Sequence, residues 1–216
     1  LNTTPQAILQ PSHYFSSVIY TINKPEFLDA AKTVSEDALN ATKQTQDINA
    51  VYPSVMSPFI ANDVRIKDLV DFIAQSGWII LDSQGYDVDH LGAFVSEMWA
   101  QEHLKYSGME QHVHTGDVVL SGFYFLDTPE GGQMIELHDP RAGKVQASLK
   151  LKDPTRVKEA NNSLFIKPES GMFVFSNSWL PHSFTRNTSD NPCRFIHFNI
   201  AVKPITQTQK NSPIIV

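Results

Sequence analysis

Residues 111–127, QHVHTGDVVLSGFYFLD, govern how the rest of the chain is read. The second half, VVLSGFYFLD at 118–127, is rich in β-branched and aromatic residues and reads as a buried strand. The first half sets His112 and His114 two positions apart. On a strand that spacing sends both imidazoles to one face, where both can reach one metal ion. Asp117 follows closely and could add an oxygen ligand if the turn folds back. A metal site needs ligands from separate elements. His182, in SWLPHSF at 178–184 just after another strand-like run, is the candidate distal nitrogen.

Working outward, the C-terminal half continues as short strand-like runs. These are QMIELH at 133–138, SLFIK at 163–167, GMFVFS at 171–176 and CRFIHFNIAV at 193–202, separated by turns such as TPEGG at 128–132. Their phenylalanines read as core. The N-terminal half reads as a strand at 13–22 and then helices. One starts at Pro25, a residue tolerated in a first helical turn, and carries Leu28, Ala31, Val34, Ala38 and Leu39 at helical spacing. A second runs over about 64–75, capped by Asn62 or Asp63 and stopped near Gly77. A third is expected over about 88–104, with Trp78 and Trp99 anchoring helices onto a sheet. The pattern is an all-β core with helical support, a sandwich or barrel; the alternative is one mixed α+β sheet with no barrel.

Composition narrows the function classes. The chain has 216 residues, 41% of them hydrophobic, and a formal charge of −6, which disfavours a nucleic-acid binder. No apolar run approaches a membrane span of roughly 18 residues. With one cysteine, Cys193, an intramolecular disulfide and a cysteine-cluster zinc site are both excluded, which fits a cytoplasmic protein. Eight histidines remain as nitrogen ligands. Of these His13, His90 and His103 read as surface residues, His197 as structural and His138, beside Asp139, as ambiguous, leaving His112, His114 and His182 for a metal.

In order, His112-Val-His114, Ser121-Gly-Phe-Tyr-Phe-Leu126, Gly131-Gly132, His138-Asp-Pro-Arg141, Trp179-Leu-Pro-His182 and Arg194-Phe-Ile-His-Phe-Asn199 resemble the iron(II)/2-oxoglutarate-dependent oxygenases. More narrowly, the set resembles an oxygenase group of marine bacteria and their phages, itself similar to prolyl 4-hydroxylases. The resemblance implies a double-stranded β-helix of jelly-roll, cupin-like form, with helical support over 1–105, the core over 106–204 and a C-terminal tail over 205–216, all in one domain. It implies Fe(II), with 2-oxoglutarate as co-substrate, and hydroxylation of an unactivated C–H with release of succinate and CO2. His112 and His182 match the first and distal ligands. His114 departs from the family by standing at the carboxylate position; it could ligate, or Asp117 or Asp139 could supply the carboxylate. Arg194 matches the basic residue expected to clamp the distal carboxylate of 2-oxoglutarate, with Tyr124 or Ser121 adding a hydroxyl. Arg141 and Trp179 are candidates for a small-molecule or peptidyl substrate, and the helices for a homodimer contact. A cupin-like metal enzyme or binder that does not use 2-oxoglutarate is the alternative.

Overall fold

The computed structural model describes residues 10, 12–49, 51–143 and 149–205. Nearly all of the expected tail, and residues 144–148 of the polar segment before the strand at 163, lie outside the described residues. The order is β1 (Ile19–Asn23), α1 (Leu28–Lys43), β2 (Ser54–Met56), α2 (Lys67–Ser83), β3 (Leu91–His103) and β4 (Met109–His112). Then come β5 (Val118–Asp127), β6 (Ile135–His138), β7 (Ser163–Ile166), β8 (Met172–Asn177), β9 (His182–Phe184) and β10 (Cys193–Pro204).

Two antiparallel sheets face each other, one ordered β1-β8-β5-β10-β3-β2 and the other β4-β9-β6-β7. This is the double-stranded β-helix, and both helices lie on the outer face of the larger sheet. Alternation along each central strand divides the core in two. On β10, Ile196, Phe198 and Ile200 point to the helices and pack with Leu39, Ile73 and Phe173. Phe195 points between the sheets, with Phe123, Phe125, Ile135, Leu137 and Phe184.

The helices form where their apolar spacing places them. Asp63 caps a 3-10 turn before α2, its side chain accepting from the Arg65 amide. Gly77 does not end α2, which runs on to Ser83. A Cβ at this glycine would lie 2.7 Å from Ile200 Cδ1, so its role is close helix–sheet approach.

The expected third helix is instead β3, which pairs along its whole length with β10, from Leu91 opposite Pro204 to His103 opposite Cys193. Both faces of β3 are covered. Met98, Ala100 and Glu102 face the helices, while Trp99, Gln101 and His103 face the barrel interior. Two buried faces blur the period-2 signal, and long-range pairing overrides local helix preference. β1, β2 and β3 all precede residue 106 and belong to the larger sheet.

Candidate metal centre

Local pairing brings three histidines together at one end of the barrel. His112 ends β4 and His182 opens β9, and the two are direct antiparallel partners. His114 lies just beyond β4, its amide donating to Ser178 O at 2.9 Å. The ring centroids of His112 and His182 are 4.4 Å apart, and each lies 5.2 Å from that of His114. His114 Nε2 sits 3.4 Å from His182 Nε2. Nitrogens bound about 2.1 Å from one ion are separated by roughly 3.0–3.4 Å, so the spacing suits a shared cation. One ligand atom from each of the three histidines falls within 4.8 Å of the others, and no carboxylate joins the group among the described residues.

The hydrogen bonds around the rings direct them inward. His112 Nδ1 lies 2.8 Å from Glu110 O, and His182 Nδ1 3.0 Å from Leu180 O. Carbonyls only accept, so each Nδ1 carries the proton and each Nε2 presents a lone pair. Burial, reinforced by the neighbouring histidines, lowers the His182 pKa to about 4. Burial and His112 likewise bring His114 to about 4, against a smaller opposing pull from Glu97. Both rings are therefore neutral at pH 7, the state a metal ligand requires.

Strand parity separates the other expected residues. Ser121 faces inward, its Oγ 3.2 Å from His197 Nε2. Tyr124 faces the helices and donates its hydroxyl to Lys24 O at 2.8 Å, so it does not reach the site. Arg194 is likewise on the helix face. Its Nε bonds Glu102 Oε2 at 2.6 Å, its Nη1 lies 3.4 Å from Asp127, and Lys43 of α1 holds the other Glu102 oxygen. Strand parity is the reason: residues 195, 197 and 199 of β10 point inward and 194 outward. Asp117 is exposed in a turn. Asp139 is engaged by Arg141 through Nε at 2.9 Å and Nη2 at 2.6 Å. Neither carboxylate joins the histidines. Trp179 is 48% exposed in the turn before His182.

Arg141 lines a cleft of about 650 Å³ at the same end of the barrel, between the edge strands β1 and β7. The cleft floor is Ile19, Leu137, Leu164 and Leu180, and its rim carries Arg141, Asp139, Lys158 and Glu159. Leu137 is the β6 partner of His182, so the cleft adjoins the histidines.

His197, Asn199 and Trp99, none of them expected at the site, border the centre. His197 is 2% exposed, with Nε2 3.3 Å from His114 Nε2 and its ring stacked on Trp99 at 4.3 Å. Trp99 thus lies against the site and does not anchor a helix. His197 Nδ1 is buried without a partner among the described residues. A proton there would be an unsatisfied donor costing about 1–3 kcal/mol, so the proton belongs on Nε2. Asn199 places Nδ2 3.3 Å from His114 Nδ1 and donates to Glu97, while its buried Oδ1 has no partner among the described residues. The signal available in the sequence was the alternation Phe195, His197, Asn199 on a strand whose inner face was not identifiable. His103, read as a surface residue, is fully buried between Gln101 and Gln133.

Residues 97–199 match the family model described as "Putative 2OG-Fe(II) oxygenase". No curated protein matches the chain. Among solved structures, AviO1 from Streptomyces viridochromogenes superposes with a TM-score of 0.60 at 12% identity, covering 86% of this chain and 90% of its own. A Pseudomonas putida prolyl-4-hydroxylase gives 0.55 at 9% identity, covering 85% and 91%. HygX from Streptomyces hygroscopicus, solved with nickel and 2-oxoglutarate bound, gives 0.51 at 10% identity, covering 86% and 83%. At these identities the structural likeness is one of fold.

Proposed function

We propose, from the match of residues 97–199 to the 2OG-Fe(II) oxygenase family model, that this chain is a single-domain Fe(II)/2-oxoglutarate-dependent oxygenase with a three-histidine metal site. The observation that carries the site assignment is the convergence of His112, His114 and His182 at the cleft end of the barrel.

The donor set fits Fe(II): three imidazoles, two of them fixed by backbone carbonyls, would hold the ion. When bound, the metal and 2-oxoglutarate supply the oxidising chemistry that attacks an unactivated C–H, with release of succinate and CO2. The protein's own work is to hold the ligand rings, exclude water with Phe123 and Leu180, and present substrate from the cleft. We assign Arg141 to the substrate rim, its guanidinium held in place by Asp139. Exposed Trp179 is the second candidate on that side. The apolar floor and mixed-charge rim suit a small molecule or a short peptidyl segment.

No helix among the described residues is long and apolar enough to cross a membrane. A single buried thiol, Cys193, supports the cytoplasmic reading.

A cupin-like enzyme that does not use 2-oxoglutarate is the second reading, favoured by the turn of Arg194 towards the helices. Succinate release decides between them. Fe(II)-loaded protein should form succinate only with 2-oxoglutarate present, and His112→Ala and His182→Ala should lose both iron and turnover. Absence of succinate at full iron loading would favour the second reading. Unchanged iron content in both variants would rule out the site itself.

A further inference from the structure

We propose that His197 is the residue that meets the metal-bound end of the co-substrate, the end opposite to the distal carboxylate for which Arg194 was the expected partner. The inference rests on the oxygenase reading above. His197 is held on the inner face of β10, between Phe195 and Asn199, and its ring cannot swing freely. Trp99 stacks on it at 4.3 Å and Phe123 packs edge-on at 5.1 Å. Its Nε2 lies 3.3 Å from His114 Nε2, yet it falls outside the group of three whose ligand atoms converge within 4.8 Å. An imidazole beside a ligand, but not among the ligands, is placed to touch what the ion binds next.

The hydrogen-bond inventory gives the direction of that contact. Nδ1 has no partner among the described residues, whereas a proton on Nε2 is directed at His114 Nε2 and at Ser121 Oγ, 3.2 Å away. Once a metal takes the lone pair of His114, the Nε2–H of His197 loses that acceptor. A carboxylate oxygen bound to the ion on this side restores it, and the Ser121 hydroxyl offers a second donor. Arg194 cannot compete, because Glu102 and Asp127 hold it on the opposite face of the same strand. The ligand class is a 2-oxo acid, recognised at its chelating end by neutral donors.

The test uses the intact chain loaded anaerobically with Fe(II). Metal affinity is measured by competition with a chelator, and 2-oxoglutarate affinity by calorimetry. His197→Phe keeps an aromatic ring against Trp99 and removes the N–H. We expect metal affinity within about twofold of wild type and 2-oxoglutarate binding weakened about tenfold or more. His197→Gln, which restores an N–H donor, should recover part of the loss, and Arg194→Gln should bind 2-oxoglutarate as wild type does. Unchanged 2-oxoglutarate affinity in His197→Phe would overturn the proposal. So would loss of the metal in that variant, which would make His197 a ligand, or a tenfold loss in Arg194→Gln. If His197→Phe does not fold, the wild-type protein loaded with Zn(II) decides: 2-oxoglutarate should shift the ring-nitrogen resonances of His197, and unmoved resonances would refute the contact. Wild-type protein that binds Fe(II) but no 2-oxoglutarate would overturn the oxygenase reading itself.

Discussion

At position 114 an imidazole stands where the resembled sites carry a carboxylate, so a divalent ion held here keeps one more unit of positive charge. Glu97 stands behind that position, linked through the Asn199 amide, and its charge is felt at His114. Glu97→Gln retains the shape and removes the charge. Fe(II) affinity should fall about tenfold, the lower end of what outer-shell partners contribute, as read by chelator competition. Affinity equal to wild type would show that Glu97 is only a solvated neighbour. The three converging histidines, His112, His114 and His182, were legible in the sequence as an H-x-H pair and a distal histidine. Arg194 and Tyr124 were not. Their roles depend on which face of a strand is inward, and a shift of one position reverses the answer. His197 and Asn199 were hidden for the same reason, on the same strand as Arg194.

β10 is the element that organises both cores and the site. It pairs with β3 on one side and β5 on the other, sends Phe198 and Ile200 to the helices, and sends Phe195, His197 and Asn199 inward. Phe195 is fully buried against Phe123, Phe125 and Phe184, with ring centroids at 5.7, 5.9 and 4.9 Å. Phe195→Ala should cost about 3–5 kcal/mol in urea unfolding, from lost burial and the cavity left behind. A loss under about 1 kcal/mol would mean the inner core is looser than its contacts indicate. β5, β6, β7, β8 and β10 could be read from their aromatic and β-branched runs and their glycine turns, whereas β9, only His182–Phe184, was too short to stand out. β3 could not, since Leu91, Phe94, Val95 and Met98 satisfy a helical period as well as a two-faced strand. Only its partner β10, about a hundred residues away in sequence, settles the choice.

Across the whole molecule, buried neutral histidines tie stability to pH. His103 and His182 are each lowered to about 4 in the folded state, burial being the main cause, from an ordinary value of 6.5. Between those values the unfolded chain binds protons that the folded chain refuses. The stability of metal-free protein should therefore rise with pH from about 4 to about 6.5, by up to roughly 1.4 kcal/mol per unit for each such histidine. Thermal melts of metal-free protein across that window test the sign; a midpoint that does not climb would contradict it. The same neutral imidazoles leave the centre ready to take an ion. The most direct test of the account is an anaerobic optical titration of the Fe(II)-loaded protein with 2-oxoglutarate. Wild type should develop the weak visible metal-to-ligand charge-transfer band of a chelated 2-oxo acid, and His114→Ala should not. No band in fully iron-loaded wild type, or an undiminished band in His114→Ala, would contradict a three-histidine oxygenase centre.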